Sequence, residues 1–275
     1  MPEPVLTPAT IRRLRATVYD HFRNHGRTLP WRADFDSYHI FVSEVMLQQT
    51  QVERVAMKFK AFINRFPDFT ALASAPLKEV LALWQGLGYN RRALNLKRAA
   101  EAVLREHGGA LPATPEALST LPGIGRATAA SIVAFAFNLP TIFLETNIRT
   151  VLIHHFFNDA TSVSDAELLP LAEALIDKRN PRKWYSALMD YGTSLKKLHG
   201  NASRLSARYK TQGSFEGSRR QKRGKILKLL LDRNSLNVKQ IADVLAIDST
   251  VCDGILAELV KDGIISKARG RYRIA

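Results

Sequence analysis

One cysteine, Cys252, occurs in 275 residues. A single thiol excludes a disulfide framework and any four-thiolate metal or iron–sulfur site built within the chain. The seven histidines, including the pair His154 and His155, show no metal-ligand spacing and read as ordinary surface or core residues. Long hydrophobic runs are missing as well. None reaches the roughly eighteen residues that span a bilayer, and the opening "MPEPVLTPATIRRLR" lacks a basic-then-apolar signal layout. These absences predict a cytoplasmic protein with no membrane contact. Acid is scarce relative to base: 25 Asp and Glu stand against 40 Lys and Arg, for a net charge of +15. Such an imbalance points to a polyanionic partner, nucleic acid before membrane. The 46% hydrophobic content is enough for one large core or two to three small domains.

From Thr10 to about Lys197 the apolar residues recur three and four apart, as in "IRRLRATVYDHF" and "LKEVLALW", with short Gly or Pro punctuation. This pattern predicts roughly ten short helices. Their starts are marked by Thr7 with Pro8, Ala75 with Pro76, Thr114 with Pro115, and Ser164 with Glu167 as a capping box. No strand is required before residue 260. Residues 196–225 carry ten Lys or Arg and one acid and read as a basic connector. Three amphipathic helices follow, "GKILKLLLDRN", "NVKQIADVLAI" and "DSTVCDGILAELVKDGII", then two short strands around Gly270, which is the order of a winged helix.

Chemistry-bearing stretches stand out against this background. In "LSTLPGIGRATAASIVAFAF" a helix, a Gly-x-Gly turn and a second helix from Arg126 follow one another. Gly123 and Gly125 remove side chains, so backbone N–H groups at the second helix can meet a phosphate oxygen. The plainer alternative is a turn that only joins two helices. "FVSEVMLQQTQ" places Glu44 among Phe41, Val42, Val45, Met46 and Leu47, where desolvation raises a carboxyl pKa and keeps some of it protonated near neutrality. A glutamate that reaches out to solvent or caps a neighbouring helix is the alternative there. In "PTIFLETNIRTVLIHHF", Glu145 sits where an apolar run meets a helix from about Thr146, and the dipole and free N–H groups at that end favour the ionised form.

"LPWR", "SEVMLQQTQV", "WQGLGYNRRALNL", "LPGIGRATA" and "MDYG" together resemble the helix-hairpin-helix DNA glycosylases of the endonuclease III superfamily. "SEVMLQQTQV" and "GLGY" are most similar to the MutY-type adenine glycosylases. The resemblance covers about residues 28–193. It implies an all-α, helix-hairpin-helix glycosylase fold with a cleft, made of a six-helix barrel (31–139) and a second helical domain (1–30 with 140–215). A small α+β winged helix (216–275) would follow. It implies a base flipped out of the duplex, with Glu44 as general acid and Glu145 as the carboxylate beside the sugar cation. Asn147 would orient water or phosphate, and Tyr89 with Gln48 would wedge into the duplex, unless the last two only pack. Arg126 and Thr128 would complete the phosphate anchor.

Several departures bear on this reading. The family pattern has aspartate where Glu145 stands. One extra methylene shifts the oxygen by about an ångström, enough for roughly 10²-fold in rate, which leaves open an active enzyme, an altered substrate or a binding protein without catalysis. Strand-cutting relatives carry lysine after "GxGR"; here Ala127 predicts base release without strong lyase activity. Most relatives follow "MDYG" with four cysteines holding a [4Fe-4S] cluster. This chain resembles the cluster-lacking branch, so no cofactor is expected. Arg219, Arg220, Lys222 and Arg223 would supply the missing phosphate contacts, unless the charge run is only a solvated face. The winged helix is too short for the domain that reads 8-oxoguanine in MutY-type enzymes, and it would meet DNA through Lys267, Arg269, Arg271 and Arg273. The expected function is a monofunctional DNA glycosylase of base excision repair, nucleoid-associated and monomeric, acting on double-stranded DNA with a mispair or base lesion. Adenine is the leading target; uracil, thymine or an oxidised pyrimidine, or non-catalytic lesion recognition, are the alternatives.

Overall fold

Thr7 Oγ1 accepts the N–H of Thr10 (3.1 Å) and Pro8 fills the first turn, so α1 (Pro8–His25) starts where the sequence predicts. The computed structural model describes residues 6–157 and 160–275. After one 3-10 turn at Pro30–Arg32, the Asp36 carboxylate accepts the N–H groups of Tyr38 (2.9 Å) and His39 (3.0 Å) and opens α2 (Ser37–Leu47). Next come α3 (Val52–Arg65), α4 (Phe69–Ser74), α5 (Leu77–Trp84) and α6 (Arg91–His107). Helix α5 begins one residue later than the Ala75–Pro76 pair suggests, because Pro76 is itself the N-cap. Thr114 then caps α7 (Pro115–Leu118), which leads through the glycine turn into α8 (Arg126–Phe137).

Beyond the turn lie α9 (Thr146–Phe156), α10 (Asp165–Leu175) and α11 (Pro181–His199), with the capping box of Ser164 and Glu167 formed at the start of α10. Residues 196–225 are not one connector. Lys196 and Lys197 lie in the last turns of α11, Ala202–Leu205 form a 3-10 turn, and Arg219 opens α12 (Arg219–Asp232), capped by Ser218. The charge run concealed a helix start because the apolar anchors of α12, Ile226, Leu227 and Leu230, come only after it.

The C-terminal elements are β1 (Leu236–Asn237), α13 (Val238–Leu245), α14 (Ser249–Lys261), β2 (Ile265–Ala268) and β3 (Arg271–Ile274). The antiparallel sheet has the order β1-β3-β2. Strand β1 precedes residue 260, contrary to expectation, since two residues offer no alternation to read. The β2–β3 loop is Arg269–Gly270 with φ of 48° and 72°, the pair of positive φ values that a two-residue hairpin with right-handed twist demands.

The chain divides into two compact units. The first holds residues up to Glu44, Pro112–Thr120 and Ile124–Thr211; the second holds Val45–Leu111, Leu121–Gly123 and Gln212–Ala275. Leu14, Val18, Ile148, Val151, Trp184 and Tyr185 sit in the core of the first. In the second, Phe62 packs edge-on against Trp84 (6.0 Å between centroids), and Ile226, Ile255 and Leu259 are buried under the winged-helix sheet. Among the described residues no helix is long and apolar enough to cross a membrane. The fold is thus all-α with a small winged helix.

Candidate active site

Within the first unit, α2 delivers Glu44 beside Ser131 of α8. Ser131 Oγ lies 2.6 Å from Glu44 Oε2 and 2.9 Å from the carbonyl oxygen of Thr128. Burial pushes the Glu44 carboxyl from its ordinary 4.5 up to about 7; the Ser131 hydroxyl and Arg32 pull it down, and the charge of Glu145 pushes it further up. The apolar neighbours Phe41, Val42, Val45 and Met46 are all buried, so the desolvation read from the sequence is present.

Glu145 is the N-cap of α9. Its Oε1 accepts the N–H groups of Asn147 (2.7 Å) and Ile148 (2.9 Å), while Oε2 faces Asn147 Nδ2 at 3.3 Å. Burial pushes this carboxyl up too, against the pull of the Ile148 N–H, Lys196, the Asn147 N–H and Arg149. The helix end is therefore only half the balance that sequence reasoning gave it. Of the two acids, Glu145 has two backbone donors and two cations around it, whereas Glu44 has one hydroxyl and one cation. Glu145 is thus the better surrounded for a negative charge, and charge there pushes the Glu44 carboxyl up.

Two further groups complete this centre and were missed by the sequence reading. Lys196 Nζ donates to Asn147 Oδ1 (2.7 Å), so the Asn147 side chain bridges ammonium and carboxylate. Asp190 of "MDYG" is buried and binds both Arg32 of "LPWR" (2.9 and 3.1 Å) and Arg27 (2.8 Å). Against the upward push of burial, these guanidiniums hold Asp190 below its ordinary range. The two motifs are thereby parts of one ion cluster. Arg27 and Arg32 also line a pocket of about 530 Å³ with Phe22, Phe35 and Arg182.

The glycines of the hairpin divide in role. Gly123 has φ 80°, and a Cβ there would meet Asn95 Cβ at 2.8 Å, so the fold itself requires glycine. Gly125, the N-cap of α8, has an ordinary φ of −85° and nothing within 4 Å of a built Cβ. Arg126 is exposed in the first turn of α8, with Thr128 two residues on and partly covered. Ala127 is exposed between them.

In the second unit Gln48 Nε2 donates to the carbonyl of Gly123 (3.3 Å). Tyr89 is 39% exposed and held at φ 47°. Arg92 organises this loop: it donates to the carbonyls of Val45 (2.9 Å), Met46 (2.8 Å) and Leu87 (3.1 Å), and lies over the Tyr89 ring at 5.6 Å. Gln49 shares the left-handed backbone of Tyr89 (φ 53°), and both line a depression of about 380 Å³ with Asn90, Arg223 and Asp262. The basic residues of α12 are differently employed. Arg219 pairs with Glu258 (2.8 Å), Arg223 with Asp262 (2.7 Å), and Arg220 donates to the Gly213 carbonyl (2.9 Å). Lys222 makes no ion pair among the described residues.

A [4Fe-4S] cluster requires four thiolates, and the sole cysteine, Cys252, is buried in α14. The residues present do not fit that group. Among the described residues no cluster of His, Cys, Asp and Glu could hold a metal ion.

The glycine hairpin and the two buried carboxyl groups belong to a helix-hairpin-helix protein. Residues 42–173 match the family described as "HhH-GPD superfamily base excision DNA repair protein". An adenine DNA glycosylase of Mycolicibacterium smegmatis is 33% identical over 276 residues, covering 94% of this chain and 93% of that one. The chain belongs to the HhH-GPD superfamily. Adenine DNA glycosylases of Buchnera aphidicola subsp. Baizongia pistaciae and of Homo sapiens are each 36% identical over 64% and 68% of the chain. The chain spans only 51% and 36% of those two relatives' own lengths. Among solved structures, a thermostable thymine-DNA glycosylase superposes with a TM-score of 0.60 at 24% identity, over 72% of this chain and 96% of that one. An endonuclease III–DNA covalent intermediate does so with a TM-score of 0.56 at 20% identity, over 77% and 92%. These two share the fold.

Proposed function

We propose that the chain is a monofunctional DNA glycosylase of base excision repair that removes adenine from a mispair in double-stranded DNA, without a cofactor. The observation that carries this reading is a pair of buried carboxyl groups in unlike surroundings, Glu44 pushed up to about 7 and Glu145 capping α9 with two backbone N–H donors, which is how a single site supplies both acid and anion. The hairpin around Gly125 binds backbone phosphate through N–H groups of α8. The Tyr89 loop fills the stack while the target base is extruded. Glu44 protonates a ring nitrogen of the leaving purine, and the glycosidic bond breaks toward an oxocarbenium-like sugar beside the Glu145 carboxylate. Water adds to that cation and leaves an abasic site. Ala127, at the position after "GxGR", carries no amine, which supports base release without strand cleavage. Adenine is supported by the name of the relative that the chain covers over 93% of its length.

The test is a set of duplexes each carrying one mispair or lesion, incubated with the full chain and treated with alkali. Strand breaks appear at adenine mispairs and not without alkali. Breaks confined to another base would replace adenine as the target, and binding without breaks on every duplex would replace the enzyme with a lesion-recognition protein.

A further inference from the structure

Glutamate is an unusual N-cap, because capping favours the short side chains of Asp, Asn, Ser and Thr. Glu145 fits by turning one oxygen, Oε1, onto two of the free N–H groups of α9. Oε2 is left with a single partner, Asn147 Nδ2 at 3.3 Å. At its other end that amide meets Lys196, whose Nζ lies 2.7 Å from Asn147 Oδ1. An ammonium only donates, so Asn147 must present its oxygen to Lys196 and hence its NH₂ to Glu145. The charges around Glu145 leave this task to Lys196. Arg149, on α9 itself, is occupied by Asp165 (3.0 Å) and the Leu144 carbonyl (3.0 Å), and Glu44 on α2 is itself an acid. Lys196 has no ion pair within 4.0 Å among the described residues, and it lies near the end of α11, four residues past Gly192 of "MDYG".

We infer that Lys196 is a positioning residue: through Asn147 it fixes the free oxygen of Glu145, and so makes the longer acid serviceable where a shorter one is the family's pattern. The stretch that would otherwise lead into a cysteine loop here supplies a cation to the acid pair. The inference rests on the glycosylase reading only for its activity readout. Burial lowers the Lys196 pKa and Glu145 raises it, as expected of an ammonium held between a packed helix and an anion.

The experiment compares wild type, Lys196→Met, Lys196→Gln and Lys196→Arg in the full chain, each also with Glu145→Asp. Glu145 ionisation is followed by its ¹³C-carboxyl shift, and base release by single-turnover rates against pH. Loss of the ammonium in the Met or Gln variant is expected to raise the Glu145 midpoint by about one pH unit and to slow excision about tenfold, with the acid limb moving to higher pH. Lys196→Arg restores the midpoint. With Glu145→Asp, removing Lys196 slows excision less than about threefold, since the shorter side chain has one rotatable bond fewer and its carboxylate needs less tethering. An unchanged Glu145 midpoint in a folded Met or Gln variant overturns the inference, as does an equal penalty in the Asp background. A shifted midpoint in a chain that excises no base upholds the inference and sinks the glycosylase reading instead.

Discussion

Ser131 Oγ stands between Glu44 Oε2 (2.6 Å) and the Thr128 carbonyl oxygen (2.9 Å), one hydroxyl proton facing two acceptors. When Glu44 is protonated, its own O–H points at Ser131 and the serine proton goes to Thr128. When Glu44 is ionised, the serine proton turns to the carboxylate. Both states of the acid are therefore hydrogen-bonded without any movement of backbone.

Ser131→Ala removes the bond that favours the ionised state. The Glu44 pKa is expected to rise, by about one unit for a hydrogen bond to a charged group, and the alkaline limb of single-turnover excision moves to higher pH by the same amount. An alkaline limb that stays in place, or moves down, contradicts the relay.

Glu44→Gln abolishes excision and leaves duplex affinity nearly unchanged, because the side chain's volume and place remain. A variant that releases base at the wild-type rate would show that another group is the acid.

The same substitution has a pH-dependent effect on stability. Below pH 4.5 the Glu44 carboxyl is protonated whether the chain is folded or not. As pH rises toward about 7 the unfolded chain ionises and the folded one does not, so folding loses stability through that window and stays lower above it. Glutamine cannot ionise and escapes the loss. Denaturant titrations should find Glu44→Gln more stable than wild type by ~2–3 kcal/mol at pH 8 and close to it at pH 4; equal stabilities at both pH values would contradict the raised pKa.

Gly123 and Gly125 respond oppositely to a side chain. Gly123→Ala meets Asn95 and a positive φ, and lowers stability by at least about 1–2 kcal/mol. Gly125→Ser meets open space and provides a better N-cap, so its melting temperature holds or rises. Its duplex affinity falls about tenfold, roughly 1.4 kcal/mol, because the hydroxymethyl group occupies the phosphate's approach. Filter-binding and thermal melts on the two variants decide whether the hairpin contacts backbone phosphate.

How far the sequence could be read follows from the range of the interactions involved. Glu44 was visible because its desolvation comes from neighbours one to three residues away. The glycine turn and most helix starts were visible for the same reason, since caps act within a single turn. Ser131 was not: it meets Glu44 across 87 positions, and a serine inside an apolar helix looks like filler. Lys196 was hidden in a run of like charges, and only the continuation of α11 past "MDYG" turns it inward. The cations of α12 were noticed, but the acids that hold two of them lie 39 residues later. The family's aspartate position drew attention to Glu145, yet its cap geometry, with one oxygen engaged and one tethered, needed coordinates.

The ion pairs between α12 and α14 give the winged helix a built-in counter-ion. A phosphate reaching Arg219 or Arg223 must displace a tethered carboxylate, and a tethered carboxylate, unlike a diffuse salt ion, gains little freedom on release. Those arginines therefore add less to salt-sensitive adhesion than their charge suggests. The cationic reach of this chain therefore rests less on α12 than on those basic groups that carry no internal acid.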